Sequence, residues 1–125
     1  MNNNRLAFFL IIFSFCISNF ALAGETRCSA PMDSTSFATY SNDVAAHDFD
    51  DAKIKSIKIE LKSKCFSSAQ VKLLLELLSF EEDKLAVAKL AYLKVSDPTN
   101  FESIFDVFEF DSSKKEIKDF IAASK

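Results

Sequence analysis

The chain has 125 residues, a formal net charge of −3 and 49% hydrophobic residues, but only one glycine, two prolines and one histidine. A mildly acidic balance argues against nucleic-acid binding, for which a strong basic excess is typical. Sandwiches, barrels and phosphate-binding loops need turn glycines, so the composition argues against these as well. We therefore expect a small all-α domain that binds no cofactor.

Residues 1–23 have the pattern of an export signal. Arg5 precedes an apolar run from Leu6 to Ile17, and Ala21-Leu22-Ala23 supplies the small residues that signal peptidase requires. The apolar run is shorter than the roughly 20 residues of a membrane-spanning helix. We predict a signal peptide, export (secretion or the periplasm) and one domain over residues 24–125, with no transmembrane segment after cleavage.

Two cysteines, Cys28 and Cys65, follow the predicted signal. A cysteine pair in a small exported domain usually forms a disulfide, because the compartment is oxidising. Two separate thiols and the single His47 do not make a four-ligand metal set. We therefore predict a Cys28–Cys65 bridge and no metal site.

Helical spacing of apolar residues recurs along the rest of the chain. The first helix begins after Asp33, the second opens at Phe49-Asp50, and Asp97-Pro98 starts the fifth. In the middle, Ser67 and Gln70 have the spacing of a capping box, and Ser79 and Glu82 repeat it. These signals predict six helices, of which 67–79 and 81–95 form the central pair and the last opens at Phe110.

The six helices read as three copies of a pair. The stripe Val71, Leu74, Leu75 and Leu78 recurs thirty residues later as Phe101, Ile104, Phe105 and Phe108. Phe49, Phe80 and Phe110, each followed by an acidic residue, recur at nearly the same interval. A period of this length with two helices per unit indicates stacked helical hairpins. The predicted fold is therefore three stacked hairpins, either solenoid-like or a compact bundle.

Several segments of the chain form a recognisable set: Cys28 with Pro31-Met32, Cys65-Phe66-Ser67-Ser68-Ala69-Gln70-Val71, Phe80-Glu81-Glu82-Asp83-Lys84-Leu85, Ala88-Lys89, Ala91-Tyr92, Asp97 with Asn100-Phe101, and Phe108-Glu109-Phe110. Together these segments resemble domain-of-unknown-function family 4476. The likeness covers residues 24–125, apart from a departure at Leu93-Lys94-Val95-Ser96. It implies an exported all-helical domain and supplies no catalytic residue.

Acidic clusters open the second and fourth helices, at Asp48, Asp50 and Asp51 and at residues 81–83. Carboxylates in a first turn are favoured by the helix dipole, and calcium loops need a glycine that is missing here. No residue is placed to act as a nucleophile for His47. We therefore predict no catalytic residue and no enzyme activity.

Two features indicate a candidate partner surface: the basic charge of one helix, and the face that a stacked array leaves uncovered at its end. Its lysines lie on the second helix and its aromatic residues on the fifth: Lys55, Lys58, Lys62, Phe101, Phe105 and Phe108. We expect an exported module that binds an unidentified protein. The alternatives are a structural or self-associating envelope component, and an enzyme with an unrecognised site.

Overall fold

Residues 28–125 are described by a computed structural model and form six helices without a strand. The helices are α1 (Ser34–Ala45), α2 (Asp50–Leu61), α3 (Ser68–Glu76), α4 (Glu81–Tyr92), a 3₁₀ helix (Pro98–Val107) and α5 (Asp111–Ala123). This confirms the all-α prediction. The predicted signal peptide, residues 1–23, lies outside the described residues.

The helices form two rows. One row contains α1, α3 and the 3₁₀ helix, and the other contains α2, α4 and α5, with each helix packed on the next in its row. Contacts between α1 and α2 and between α3 and α4 join the rows as hairpins. This is the predicted arrangement of stacked hairpins, with α3 and α4 at its centre.

An aromatic side chain of α4 contacts both helices of the third hairpin. Tyr92 lies with its ring centroid 5.1 Å from that of Phe101 in the 3₁₀ helix and 6.3 Å from that of Phe120 in α5. The last helix, α5, packs mainly on α4 and little on its own hairpin partner.

The core is centred on α3. Val71, Leu74, Leu75 and Leu78 are all buried, as the stripe predicts. The capping box is also present: the Ser67 hydroxyl accepts a hydrogen bond from the Gln70 backbone N–H, and the Gln70 side chain accepts one from the Ser67 N–H. Local sequence therefore determines both the start of this helix and its buried face.

The fifth helix departs from its predicted α-helical register. Phe101, Ile104 and Val107 are its buried residues, and they lie three apart. A 3₁₀ helix has three residues per turn, so these side chains stack in one line, and the helix packs against α3. Phe108 follows the helix in an extended conformation and is also buried.

The disulfide between Cys28 and Cys65 is present, with 5.5 Å between their Cα atoms. It attaches the segment before α1 to the connection between α2 and α3. The Met32 backbone N–H donates to the Cys65 carbonyl at 2.8 Å beside the bridge. The connection between α4 and the 3₁₀ helix makes an equivalent contact: the Ser96 N–H donates to the Phe66 carbonyl at 3.0 Å.

Asp97 occupies the N-cap position of the 3₁₀ helix, but its carboxylate binds the start of α3 and makes no capping bond to its own helix. It accepts from the Ser68 backbone N–H at 2.6 Å and from the Ser68 hydroxyl at 3.0 Å. Asn100 donates to its other oxygen at 3.2 Å. Burial by itself would raise the pKa of Asp97, but these donors, the Ser68 N–H first among them, outweigh it and hold the pKa below 3.8.

Asp97→Asn should therefore destabilise the fold at neutral pH and have little effect in acid. A lowered carboxyl pKa contributes stability above the unfolded-state pKa of about 3.9, and that contribution is lost as pH falls through the folded-state pKa. We expect a loss of about 1–3 kcal/mol at neutral pH, the range for hydrogen bonds to a buried or charged partner.

Urea melts at pH 7 and at about pH 2 would measure this loss of stability in Asp97→Asn. Asp106→Asn, at an exposed carboxylate, is the control. An equal loss for Asp97→Asn at both pH values would contradict this account.

Candidate interaction site

Three phenylalanines at equivalent positions of the three hairpins are largely exposed to solvent. Phe49, Phe80 and Phe110 are 76%, 66% and 59% exposed, and each is the residue immediately before α2, α4 or α5. Each has an extended backbone, and none makes a side-chain capping bond. The three helices lie side by side in one row, so their first residues share one end of it. We call this set of three residues the aromatic edge.

Carboxylates connect the three positions of the aromatic edge. Asp50, next to Phe49, accepts from the Ser79 N–H at 2.6 Å and from the Phe80 N–H at 3.2 Å. Glu81, next to Phe80, accepts from the Phe110 N–H at 3.1 Å. Phe49 and Phe80 are therefore each tied, through the acidic residue that follows, to the backbone at the next position of the edge.

Lysines tie two of these helix starts, those of α2 and α4, to the other row. Lys53 Nζ donates to the Leu77 carbonyl at 2.9 Å, and Lys84 Nζ donates to the Val107 carbonyl at 3.2 Å. Both carbonyls belong to the last turns of helices whose final C=O groups lack an intrahelical partner. In the first two hairpins, the acid and the lysine thus satisfy backbone groups of the next hairpin, which holds the edge in place.

The sequence predicted a Ser79 cap for α4, which the structure corrects. Phe80 occupies the N-cap position, and the Ser79 N–H and hydroxyl are directed to Asp50. Asp50 is 8% exposed, so it is a structural carboxylate. The recurrence of a phenylalanine and an acid pointed to these positions, but not to the exposure of the rings.

Two of the three aromatic residues of the predicted partner surface are buried. Phe101 and Phe108 are 1% and 2% exposed, because both pack into the core. Phe105 is half-buried, and Lys118 of α5 lies with its Nζ 5.0 Å from the ring centroid. The uncovered aromatic residues are therefore at the helix starts and not at the end of the array.

The predicted lysines Lys55, Lys58 and Lys62 are all exposed along α2. Lys58 and Lys62 face α4 across a groove of about 340 Å³, which is lined by those two lysines with Leu61, Leu90 and Lys94. We call it the lysine groove. Leu90 of α4, which lines this groove, is 43% exposed.

A wider cleft of about 750 Å³ lies beside the disulfide, between α1 and the end of α2. Its lining includes Asp33, Tyr40, Asp43 and Glu60. Burial raises the pKa of Tyr40 to about 12, and the Ser36 backbone N–H lowers that of Asp33 by donating to its carboxylate. Tyr40 therefore stays protonated and Asp33 ionised at neutral pH, with Asp33 committed to capping α1.

His47 is exposed at the end of α1, and its backbone N–H donates to the Val44 carbonyl. No three histidine, cysteine or acidic residues within 28–125 are grouped so that they could hold a metal ion. Over the same residues, no helix is long and apolar enough to cross a membrane.

The family comparison covers the hairpins and the aromatic edge together. A family model described as a domain of unknown function, DUF4476, matches residues 31–121. The chain belongs to this family. No curated protein and no solved structure matches it. The match to DUF4476 includes every residue of the aromatic edge and of the lysine groove.

Proposed function

We propose that this DUF4476 protein is an exported interaction module that holds a protein partner along its aromatic edge. The observation that carries the proposal is the repeated exposure of Phe49, Phe80 and Phe110. Single exposed apolar residues are ordinary on protein surfaces. Three phenylalanines at equivalent positions of successive hairpins form one regular surface, as expected of repeat proteins that bind along their length.

The aromatic edge leaves the free chain less stable than it would be with buried rings and polar N-cap residues at these positions. Burying a phenylalanine would contribute about 1.5–3 kcal/mol, and each exposed ring forgoes much of that. A serine, threonine, asparagine or aspartate at the N-cap would add about 1 kcal/mol to each helix. A partner that covers the rings would recover the burial term. Export is supported by the disulfide, because such bridges persist in oxidising compartments.

Site-specific photo-cross-linking tests this function. A benzoylphenylalanine placed in turn at Phe49, Phe80 and Phe110 should give adducts of the same mass in the native compartment. The matched control is Leu73 of α3, which is 49% exposed but lies in the other row. The proposal fails if the edge positions give no adduct, or if Leu73 gives the same one.

Self-association is the alternative that a specific observation favours. The aromatic edge is rich in acids, and the lysine groove is basic, so one copy could present its edge to the groove of another. Such a contact is head-to-tail, and it would form open chains or rings. Sedimentation velocity over a concentration series would show oligomers that dissociate in high salt, and a strictly monomeric chain would exclude this alternative.

A further inference from the structure

Each position of the aromatic edge combines an exposed ring with exposed carboxylates. Asp48 and Asp51 flank Phe49, Glu82 follows Phe80 by two residues, and Glu109 and Asp111 flank Phe110. All five acids are exposed, unlike Asp50, which is used inside the fold. Asp111 has Lys114 at 3.9 Å, and the other four have no ion pair with any residue of 28–125.

The lysines four residues after the edge phenylalanines are already engaged. The ammonium groups of Lys53 and Lys84 donate to backbone carbonyls of the neighbouring row, and that of Lys114 lies 3.9 Å from the Asp111 carboxylate. The first-turn carboxylates offset the positive ends of the α2, α4 and α5 dipoles. The surface that remains for a partner is therefore aromatic and negatively charged, so it should attract cations and repel anions.

A guanidinium group fits this combination. Arginine stacks flat on an aromatic ring while its N–H groups bind a carboxylate, often in a two-point contact. Phenyl rings elsewhere in this chain already take cations, since Lys118 lies over Phe105 and Lys89 lies 5.9 Å from the centroid of Phe120. The three edge rings have neither a cation nor another ring over them among residues 28–125.

The spacing of the hairpins sets the spacing of the cations. Packed helices lie about 8–10 Å apart, and an extended peptide in the polyproline II conformation advances about 3.1 Å per residue with three residues per turn. One step along the row of α2, α4 and α5 therefore corresponds to about three peptide residues, and side chains three residues apart point to the same side of the peptide.

We propose that the aromatic edge binds an extended peptide segment with arginine at every third residue, one arginine for each of Phe49, Phe80 and Phe110. This inference rests on the proposed function and specifies the chemistry of the partner. In it, Asp48 or Asp51, Glu82, and Glu109 or Asp111 each pair with the arginine that stacks on the adjacent ring.

The test uses the folded chain and synthetic peptides of serine and valine with arginine at every third position. Binding is measured by calorimetry and by the shifts of the edge phenylalanine signals in nuclear magnetic resonance. The first control peptide replaces arginine with citrulline, which keeps the shape and removes the charge. The second carries the same arginines at every second position. We expect the first peptide to bind, with an affinity that falls as salt rises, and both controls to bind much more weakly.

Two pairs of protein variants assign the contact. Phe80→Ala should weaken binding by roughly two- to thirtyfold, the range of a cation–π contact, whereas Leu90→Ala in the lysine groove should not. Glu82→Gln should weaken binding and reduce its salt dependence, whereas Glu102→Gln, at an exposed acid of the 3₁₀ helix, should leave both unchanged. Because Phe80 and Glu82 are exposed, these variants should keep the fold, which circular dichroism checks.

Several results would overturn the inference. They are equal binding of the citrulline peptide, equal binding of the peptide with arginine at every second position, an undiminished affinity of Phe80→Ala, or no binding of any peptide. If cross-links still form at the aromatic edge in any of these cases, the proposed function stands and only the arginine chemistry is wrong. If the cross-links are missing as well, both proposals fail.

Discussion

Leu75→Ala is expected to lower the free energy of unfolding by about 2–5 kcal/mol, the usual range for a buried leucine. Leu75 is 0% exposed and lies in the middle of α3, which packs on α1, α4 and the 3₁₀ helix. Truncation removes apolar contacts on these sides and leaves a cavity that the surrounding helices cannot fill completely. Urea melts of the wild type and the variant give the difference.

Leu73→Ala is the matched control, because it makes the same change in the same helix. Leu73 is 49% exposed, so about half of its side chain is already in water. We expect the loss to stay below about 1 kcal/mol. Both variants have the same helix propensity, so the difference between them measures burial. Similar losses at the two positions would show that α3 is not the centre of the core.

Removal of the disulfide is expected to cost about 3–4 kcal/mol. Cys28 and Cys65 are 37 residues apart, and the chain-entropy model gives this value for a loop of about that length. In a domain of about 100 residues, such a loss lowers the melting temperature by roughly 12–30 °C. Calorimetry of the oxidised chain and of the Cys28→Ser/Cys65→Ser variant measures it.

The control is the double variant with and without reductant. Reductant should lower the melting temperature of the wild type toward that of the variant and leave the variant unchanged. A reduced wild type that melts with the oxidised protein would show that the bridge adds little stability. In that case the hydrogen bond from Met32 to the Cys65 carbonyl, together with core packing, holds the segment before α1.

Features that depend on short stretches of sequence could be predicted. The capping box of Ser67 and Gln70 and the Asp33 cap are made by residues three apart, so their sequence spacing already determines the contact. The buried stripe of α3 follows from helical periodicity, and the recurrence of whole stripes gave the stacked hairpins. The disulfide could be predicted from the cysteine pair and the expectation of an oxidising compartment.

Features that depend on contacts between hairpins could not be predicted. The Asp97 carboxylate accepts a hydrogen bond from the Ser68 N–H, and the Asp50 carboxylate accepts one from the Ser79 N–H, each 29 residues away. The packing of the helices in rows brings each carboxylate to a backbone N–H that no local residue satisfies. The exposure of a phenylalanine is decided in the same way. Phe101 and Phe80 are the same residue type at recurring positions, yet Phe101 is buried in the helix that packs on α3, while Phe80, before the start of α4, is 66% exposed.

The sequence by itself determined where the helices begin, the caps of α1 and α3, the repeat and the disulfide, since each rests on local spacing or composition. The tertiary structure alone decided which phenylalanines face water and which carboxylates are structural. The 3₁₀ register shows the reason: Phe101, Ile104 and Val107 form one buried line only because α3 lies alongside them. Burial is a property of the neighbours that a side chain meets, and those neighbours come from other hairpins.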